Sequence, residues 1–121
     1  MALKAARAEA RAENGTRGPE AFRTPLYWAA EPTLVLDVRE PWEREIARLP
    51  ADVHIPMNEI PGRLAEIVPP PAGIVVAYCH AGVRSYAVAA FLEQAGHKGA
   101  ASLAGGIDAW SCEVDPQTPR Y

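Results

Sequence analysis

Residues 74–85 constrain the fold more strongly than any other part of this 121-residue chain. They begin with a short apolar run of Ile, Val and Ala, and a segment rich in proline and glycine, residues 69–73, precedes that run. Such a run predicts a buried strand. A six-residue loop from Cys79 to Arg84 follows it. Residues 85–95 are rich in Ala and end before Gly96, which predicts a helix. We therefore expect an α/β protein organised around this strand, loop and helix.

Cys79 stands at the start of the loop, where its sulfur is expected to be reactive. Backbone N–H groups of the loop and of the following helix converge on such a position, and their partial positive charges favour the thiolate. Gly82 allows the tight curvature that turns N–H groups inward. Arg84 supplies a permanent cation that can hold an anionic substrate. The alternative is a small buried apolar residue, as most lone cysteines are. Together these features favour an anion-binding nucleophile site.

Four segments of the chain, taken in order, resemble the motifs of rhodanese (sulfurtransferase) domains, and the likeness extends from about Pro19 to the C-terminus. They are residues 34–41 with the Asp-Val-Arg signature, residues 53–56, the loop at residues 79–85, and the Gly-Gly-x-x-Ala-Trp motif within residues 103–110. One departure is Ala51-Asp52, where the family often has Gly-Ala, and it affects a turn rather than the chemistry. The resemblance implies a single α/β domain with a central, mostly parallel sheet and helices on both faces.

Residues 45–50 and 113–121 carry a narrower likeness. Both are similar to the rhodanese domain that is fused to sulfur-carrier adenylyltransferases of the molybdopterin-synthase type. A chain of 121 residues is too short to hold the adenylyltransferase as well. We therefore expect a stand-alone homologue or an excised domain.

The pattern along the chain predicts strands that alternate with helices. The predicted strands are residues 34–38, a strand ending near residues 53–56, residues 74–78 and residues 100–103. The predicted helices are residues 41–46, 57–68 and 85–95, and a last helix that begins after Gly105-Gly106 and carries Ile107 and Trp110. Ile60, Leu64 and Ile67 form the apolar stripe of the second helix, whose first turn Pro61 makes irregular. This alternation is typical of a doubly wound parallel sheet.

Asp37 and Arg39 follow the first of these strands. In parallel sheets the carboxyl ends of the strands share one edge, where ligands bind, so both side chains are expected on the same edge as Cys79. One interpretation is a charge pair that orders the rim of the active site. The other is a surface salt bridge of little energetic value. The resemblance to rhodanese domains favours the supporting role at the rim.

The length predicts one domain, and we assign residues 17–121 to it. Residues 1–16 are expected to form an N-terminal helix or a flexible arm, since they are rich in Ala, Arg and Glu before Asn14-Gly15. An alternative for this arm is a helix that docks a partner. A short helix that starts at residues 19–21 and is limited by Thr24-Pro25 is also predicted. Phe22, Tyr27 and Trp28 are expected to pack over the sheet edge.

Composition excludes several classes of function. The net charge of −3 comes without a basic stripe, so a nucleic-acid partner is not expected. No apolar run is long enough to span a bilayer, and charges interrupt the N-terminus where a signal peptide has its apolar core. The chain has 2 cysteines far apart, which fits a reducing compartment and a cytoplasmic location. Cysteine and histidine spacing does not predict a metal site.

The remaining cysteine and the histidines near the loop give weaker signals. His80 and His54 are candidates for a Cys/His pair, but His80 directly follows Cys79 in a curved loop, and we expect its imidazole to point to solvent. Cys112 is expected to be a packing residue. A second interpretation is a resolving thiol that forms a disulfide with Cys79.

The resemblance to rhodanese domains implies a sulfurtransferase that uses no cofactor besides a covalent persulfide. In that interpretation Cys79 is the nucleophile that carries the sulfur, and Arg84 binds the anionic group of the donor. The backbone N–H groups of His80, Ala81, Gly82, Val83 and Ser85 form the cradle, and Asp37 and Arg39 support its rim. Thiosulfate or a persulfidated cysteine desulfurase is the expected donor. Cyanide in vitro, or a ubiquitin-like sulfur-carrier protein in the cell, is the expected acceptor.

Two other functions fit a cysteine and an arginine on such a loop. The related cell-cycle phosphatases have a loop one residue longer, whereas here four residues separate Cys79 from Arg84. The narrower loop favours sulfur over a phosphoryl group. A non-catalytic, partner-binding rhodanese-like module is the other alternative, although such modules typically lack the loop cysteine that this chain retains.

Overall fold

The computed structural model describes residues 16–17, 32–50 and 52–121, and the sheet runs through all three segments. The strands are β1 (Thr16–Arg17), β2 (Thr33–Asp37), β3 (Asp52–His54), β4 (Ile74–Tyr78) and β5 (Ala101–Leu103). They form a 5-stranded sheet in the order β1-β5-β4-β2-β3, and each pair of neighbours is parallel. The strand that leads into the Cys79 loop therefore lies at the centre of the sheet.

The alternation of side chains along β4 explains why it is central. Val75, Ala77 and Cys79 point to one face and pack in one apolar cluster with residues of the following helix. Val76 and Tyr78 point to the other face and pack in a second cluster with Ile107 and Trp110. A strand that is apolar on both faces must be covered on both faces. The predicted fold, a parallel sheet with helices on both sides, is confirmed.

The α-helices of the described residues are α1 (Pro41–Ile46), α2 (Val83–Gln94) and α3 (Gly106–Glu113), each of which follows a strand. The bounds of α1 agree with the prediction. Helix α2 begins two residues earlier than predicted, so that Val83 and Arg84 belong to its first turn. Its N-cap is Gly82, with a φ of 103°, a backbone conformation that favours glycine. The predicted loop is therefore shorter, and its last part is the start of a helix.

The helix predicted at residues 57–68 is wrong in type. The chain forms two short 3-10 helices there, Met57–Glu59 and Pro61–Glu66, and the backbone leaves the helical region at Arg63. Pro61 lacks the N–H that an α-helical bond to the preceding turn requires. The apolar stripe is nevertheless confirmed, because Ile60 and Ile67 are buried against β4 and Leu64 is partly buried beside them.

Strand β1 was not predicted, and it pairs Thr16 with Ser102 and Arg17 with Leu103. Thr16 belongs to this strand and not to the helix or arm predicted at residues 1–16, the rest of which lies outside the described residues. The short helix predicted to start at residues 19–21 and the predicted aromatic packing of Phe22, Tyr27 and Trp28 also lie outside them. Within the part of the chain that the structure describes, the helices are too short and too polar to cross a membrane.

Candidate active site

The sulfur of Cys79 lies inside the loop, at the bottom of a small ring of hydrogen-bond donors. The N–H of Gly82 donates to Sγ at 3.1 Å, and the N–H of Ser85 does so at 3.4 Å. Cys79 is 1% exposed, so the loop wraps closely around it. Two of the backbone N–H groups that the sequence predicted for the cradle thus reach the sulfur, and both stabilise negative charge on it.

A hydroxyl pair completes the surroundings of the sulfur. Ser85 Oγ lies 3.4 Å from Cys79 Sγ and 2.7 Å from Ser102 Oγ. Both serines are fully buried, and Ser102 comes from β5, the strand next to β4. When Cys79 is ionised, Ser102 can donate to Ser85 and Ser85 to the sulfur, which makes a directed chain. Ser102 was not predicted as a site residue, because a serine inside a three-residue strand carries no signal of its own.

The two consecutive glycines after β5 bring helix α3 against the back of the loop. The N–H of Ile107 donates to the Cys79 carbonyl at 2.9 Å, and the N–H of Asp108 donates to the His80 carbonyl at 3.1 Å. Gly106 has a φ of 62°, and a Cβ there would lie 2.5 Å from the His80 carbonyl oxygen. A side chain at this position would push α3 away. The Gly-Gly motif therefore fixes the carbonyls of the loop, which turns its N–H groups toward the sulfur.

Arg84 projects from the first turn of α2 and pairs with a buried carboxylate. Its two terminal nitrogens meet the two oxygens of Glu43 at 2.7 and 2.8 Å, although Glu43 is 41 positions away in the sequence. Glu43 is 3% exposed, whereas the side chain of Arg84 is 35% exposed. The hydrogen bonds from Arg84 lower the pKa of Glu43 to about 2, against the opposing effect of burial. The predicted anion-binding cation is thus paired with its own counter-ion, Glu43, which was not predicted.

Tyr121 holds Glu43 from the other side. Its hydroxyl accepts from Arg39 Nη1 at 2.9 Å and donates to Glu43 Oε1 at 2.9 Å. Burial raises the pKa of Tyr121 to about 12, so the phenol keeps the proton that it donates. The ring of Tyr121 also packs edge-on against His80, with 4.3 Å between the ring centroids. Tyr121 therefore links the end of β2, helix α1 and the loop.

Asp37 and Arg39 form a buried pair, so the alternative of a surface salt bridge is wrong. Arg39 Nε donates to Asp37 Oδ1 at 2.9 Å, and both side chains are 0% exposed. Burial lowers the pKa of Arg39, but hydrogen bonds to Asp37 and Tyr121 outweigh it, and the net shift is upward. Arg39 Nη2 also donates to the Ala47 carbonyl at 2.6 Å. The pair lies behind the rim and connects to it through α1 and Tyr121.

The other predicted residues are placed differently from the expectation. The His80 ring is not free in solvent: the residue is half-buried, its ring packs on Tyr121, and its Nδ1 is buried with no hydrogen-bond partner among the described residues. His54 Nε2 lies 2.8 Å from the Arg39 carbonyl oxygen, at the edge strand β3. Cys112 is exposed, so its prediction as a packing residue is wrong. Cys79 and Cys112 are both free thiols.

A cleft of about 360 Å³ opens beside Arg84. Its lining residues are Val38, Glu40, Met57, Asn58, Pro61 and Arg84. Met57 and Pro61 also line a second groove of about 210 Å³ that follows α2 as far as Phe91. In the part of the chain that the structure describes, no three His, Cys, Asp or Glu side chains approach closely enough to bind a metal ion.

Comparison with known proteins agrees with this geometry. A family model described as a rhodanese-like domain matches residues 20–113. The chain belongs to the rhodanese-like family. A sulfurtransferase of Allochromatium vinosum is 41% identical to it over 81 residues, which cover 67% of this chain and 74% of that protein. The structure of a rhodanese-related protein from Thermoplasma volcanium has a TM-score of 0.66 and 26% identity, covering 86% of this chain and 94% of that one.

This rhodanese-like domain is also similar to part of a larger protein. The probable adenylyltransferase/sulfurtransferase MoeZ of Mycobacterium tuberculosis is 33% identical over 87 residues, which are 72% of this chain. The chain spans 22% of the length of that relative. The predicted resemblance to rhodanese domains, including those joined to adenylyltransferases, is confirmed.

Proposed function

We propose that this domain transfers a sulfane sulfur through a persulfide on Cys79. The observation that carries the proposal is the convergence of the Gly82 and Ser85 N–H groups and the Ser85 hydroxyl on one buried sulfur. Such a cradle stabilises an anionic sulfur before and after the transfer. Membership of a family with relatives named sulfurtransferases supports the same reaction.

In the first half of the proposed cycle, the Cys79 thiolate attacks the sulfane sulfur of the donor. A new S–S bond forms at Cys79 while the donor's own bond to that sulfur breaks, and the leaving group takes the bonding electron pair. With thiosulfate the leaving group is sulfite, and Cys79 becomes a persulfide anion. Arg84, at the wall of the cleft, binds the anionic group of the donor. The remaining N–H groups from His80 to Val83 hold the terminal sulfur.

In the second half, a nucleophilic acceptor attacks the terminal sulfur and releases the Cys79 thiolate. Cyanide gives thiocyanate in this step. In the cell we propose a sulfur-carrier protein as the acceptor and a cysteine desulfurase as one source of sulfur, by analogy with the adenylyltransferase-linked relatives. The cycle uses no cofactor besides the covalent persulfide. A reducing location such as the cytoplasm keeps Cys79 and Cys112 as the free thiols seen in the structure.

The size of the loop supports sulfur rather than phosphorus as the atom attacked. Four residues separate Cys79 from Arg84, and Cys79 is 1% exposed. A single terminal sulfur atom extends the cysteine into the centre of the loop, whereas a phosphoryl group needs room for three oxygens. Asp37 and Arg39 support this rim from the interior, since Arg39 donates to the Glu43 carbonyl in α1 and to the Tyr121 hydroxyl.

The test is the intact mass of the protein after incubation with a sulfane donor and then with cyanide. We expect a gain of one sulfur atom on the wild type, removed by cyanide with formation of thiocyanate, and no gain on Cys79→Ala. Cys112→Ser is the matched control, since it removes the other thiol and should gain sulfur normally. Absence of the gain with every donor would refute the proposal and favour a partner-binding module.

A further inference from the structure

The cleft beside Arg84 does not carry the positive charge that its arginine suggests. Both terminal nitrogens of Arg84 are engaged by Glu43, so the pair is neutral as a unit. Among the described residues that line the cleft, the other charged one is Glu40, which is exposed. Counting Arg84 with its counter-ion, the charged groups at the cleft leave an excess of negative charge.

Glu43 is held in its position by more than Arg84. Its Oε1 accepts from the Tyr121 hydroxyl at 2.9 Å, and its Oε2 accepts from the N–H of Glu40 at 2.9 Å. With its pKa lowered to about 2, Glu43 stays ionised wherever the enzyme would work. An incoming anion therefore does not displace this carboxylate easily, and it must share the guanidinium with it.

We propose that Glu43 determines the specificity for the sulfur donor: by pairing with Arg84, it makes the cleft accept a singly charged sulfane donor in preference to a dianion. The proposal rests on the proposed function, because it concerns the donor step of that reaction. It predicts that persulfides and thiosulfonates are favoured as sulfur donors and that thiosulfate is disfavoured. Glu43 acts through Arg84 and is a positioning residue.

Two donors of nearly equal shape separate the effect of the donor's charge on the rate from the effect of its chemical reactivity. Thiosulfate carries two negative charges, and methanethiosulfonate replaces one oxygen by a methyl group and carries one. In both cases the Cys79 thiolate takes the terminal sulfur, and the S–S bond breaks. The leaving group is sulfite from the first donor and methanesulfinate from the second. Dividing each rate by the rate of the same donor with free cysteine removes the intrinsic difference in reactivity.

The experiment measures the rate of persulfide formation with each donor on wild type and on Glu43→Gln, which keeps the shape of the side chain but removes its charge. On the normalised scale we expect the wild type to favour methanethiosulfonate. The variant should raise the ratio of thiosulfate to methanethiosulfonate by about tenfold, the effect of one charge at this range in a partly solvated site. This increase in the ratio should become smaller as salt is added, because salt screens the charge.

Glu45→Gln is the matched control, because Glu45 is an exposed carboxylate on the same helix that does not line the cleft. It should leave the ratio unchanged. Glu40→Gln is the second test, since loss of an exposed charge at the cleft should raise the ratio by a smaller factor without disturbing the buried contacts. Thermal unfolding shows whether each variant is folded.

Three results would overturn the inference. The first is a wild type that prefers thiosulfate on the normalised scale. The second is an equal loss of rate with both donors in Glu43→Gln while Glu40→Gln leaves the ratio unchanged, which would make Glu43 a structural residue. The third is a ratio that does not respond to salt. If neither donor loads Cys79, the proposed function itself fails, and the inference fails with it.

Discussion

Replacing Gly106 by alanine tests how the loop around Cys79 is held. The added Cβ would lie 2.5 Å from the His80 carbonyl oxygen, which is backbone and cannot turn aside. The N–H groups of Ile107 and Asp108, which donate to the carbonyls of Cys79 and His80, would have to move away. The contact between α3 and the loop would therefore be lost or distorted.

The expected magnitude follows from three contributions. Alanine at a φ of 62° costs roughly 1–2 kcal/mol. Losing the two hydrogen bonds to the loop carbonyls costs about 1 kcal/mol each. Alanine also has less conformational freedom than glycine in the unfolded chain, which offsets about 0.5 kcal/mol of this loss. We expect Gly106→Ala to lower the free energy of unfolding by roughly 3 kcal/mol, a large part of the stability of a small domain.

Two other glycines serve as controls for the separate contributions. Gly96 has a φ of 108° but open space for a Cβ, so Gly96→Ala carries the backbone strain without the clash. Gly62 has open space and no positive φ, so Gly62→Ala should be close to neutral. Urea unfolding gives the three free energies, and the rate of persulfide formation is measured where all variants are folded. If Gly106→Ala is no less stable than Gly96→Ala, or loads sulfur at the wild-type rate, α3 does not hold the loop as described.

Three further perturbations have defined outcomes. Asp37→Asn leaves the Arg39 charge buried without its carboxylate and should destabilise the fold by about 3–5 kcal/mol in urea unfolding; a loss below about 1 kcal/mol would contradict the buried pair. The pKa of Glu43 is lowered from 4.5 to about 2, so the ionised carboxylate adds roughly 3 kcal/mol to the free energy of unfolding. This contribution is fully present above pH 4.5 and is lost as the pH falls toward 2. Acid unfolding of Glu43→Gln should therefore show a shallower loss across that window, and an unchanged slope would refute the assignment. Cys112→Ser should leave the transfer rate unaltered, whereas a large loss would make the exposed Cys112 a participant.

The parts of the site that the sequence predicted are those encoded by local signals. An apolar run, a cysteine and Gly82 within one short stretch define β4, the loop and α2, because strand, turn and helix preferences act over a few residues. Even there, the start of α2 was misplaced, since Gly82 serves as an N-cap and draws Val83 and Arg84 into the helix. The sequence alone does not show whether a glycine such as Gly82 lies inside the loop or is the N-cap of the following helix.

The parts that the sequence did not predict depend on distant contacts. Glu43 lies at the third position of α1, a spacing that signals a helix cap, but its partner Arg84 is 41 positions away. Tyr121 is 78 positions from Glu43. A polar side chain is expected to be exposed to solvent unless its partner is known. The sequence therefore predicted neither the burial of Glu43 nor its pairing with Arg84 and Tyr121. The 3-10 helices at Met57–Glu59 and Pro61–Glu66 were missed because the apolar spacing is similar in both helix types.

The hydroxyl pair of Ser85 and Ser102 has a consequence for the movement of the domain during a cycle. Either atom can be the donor in the contact of Cys79 Sγ with Ser85 Oγ and in the contact of Ser85 Oγ with Ser102 Oγ, so the chain from Cys79 to Ser102 can run in either direction. When the negative charge on the sulfur changes, the hydrogens of the two hydroxyls can rotate while the two oxygens keep their contacts. The reorganisation energy for a change of charge on the Cys79 sulfur is then small, because the buried hydroxyls of Ser85 and Ser102 reorient in response to it. The transfer proposed above would then require little rearrangement of the hydroxyls around Cys79.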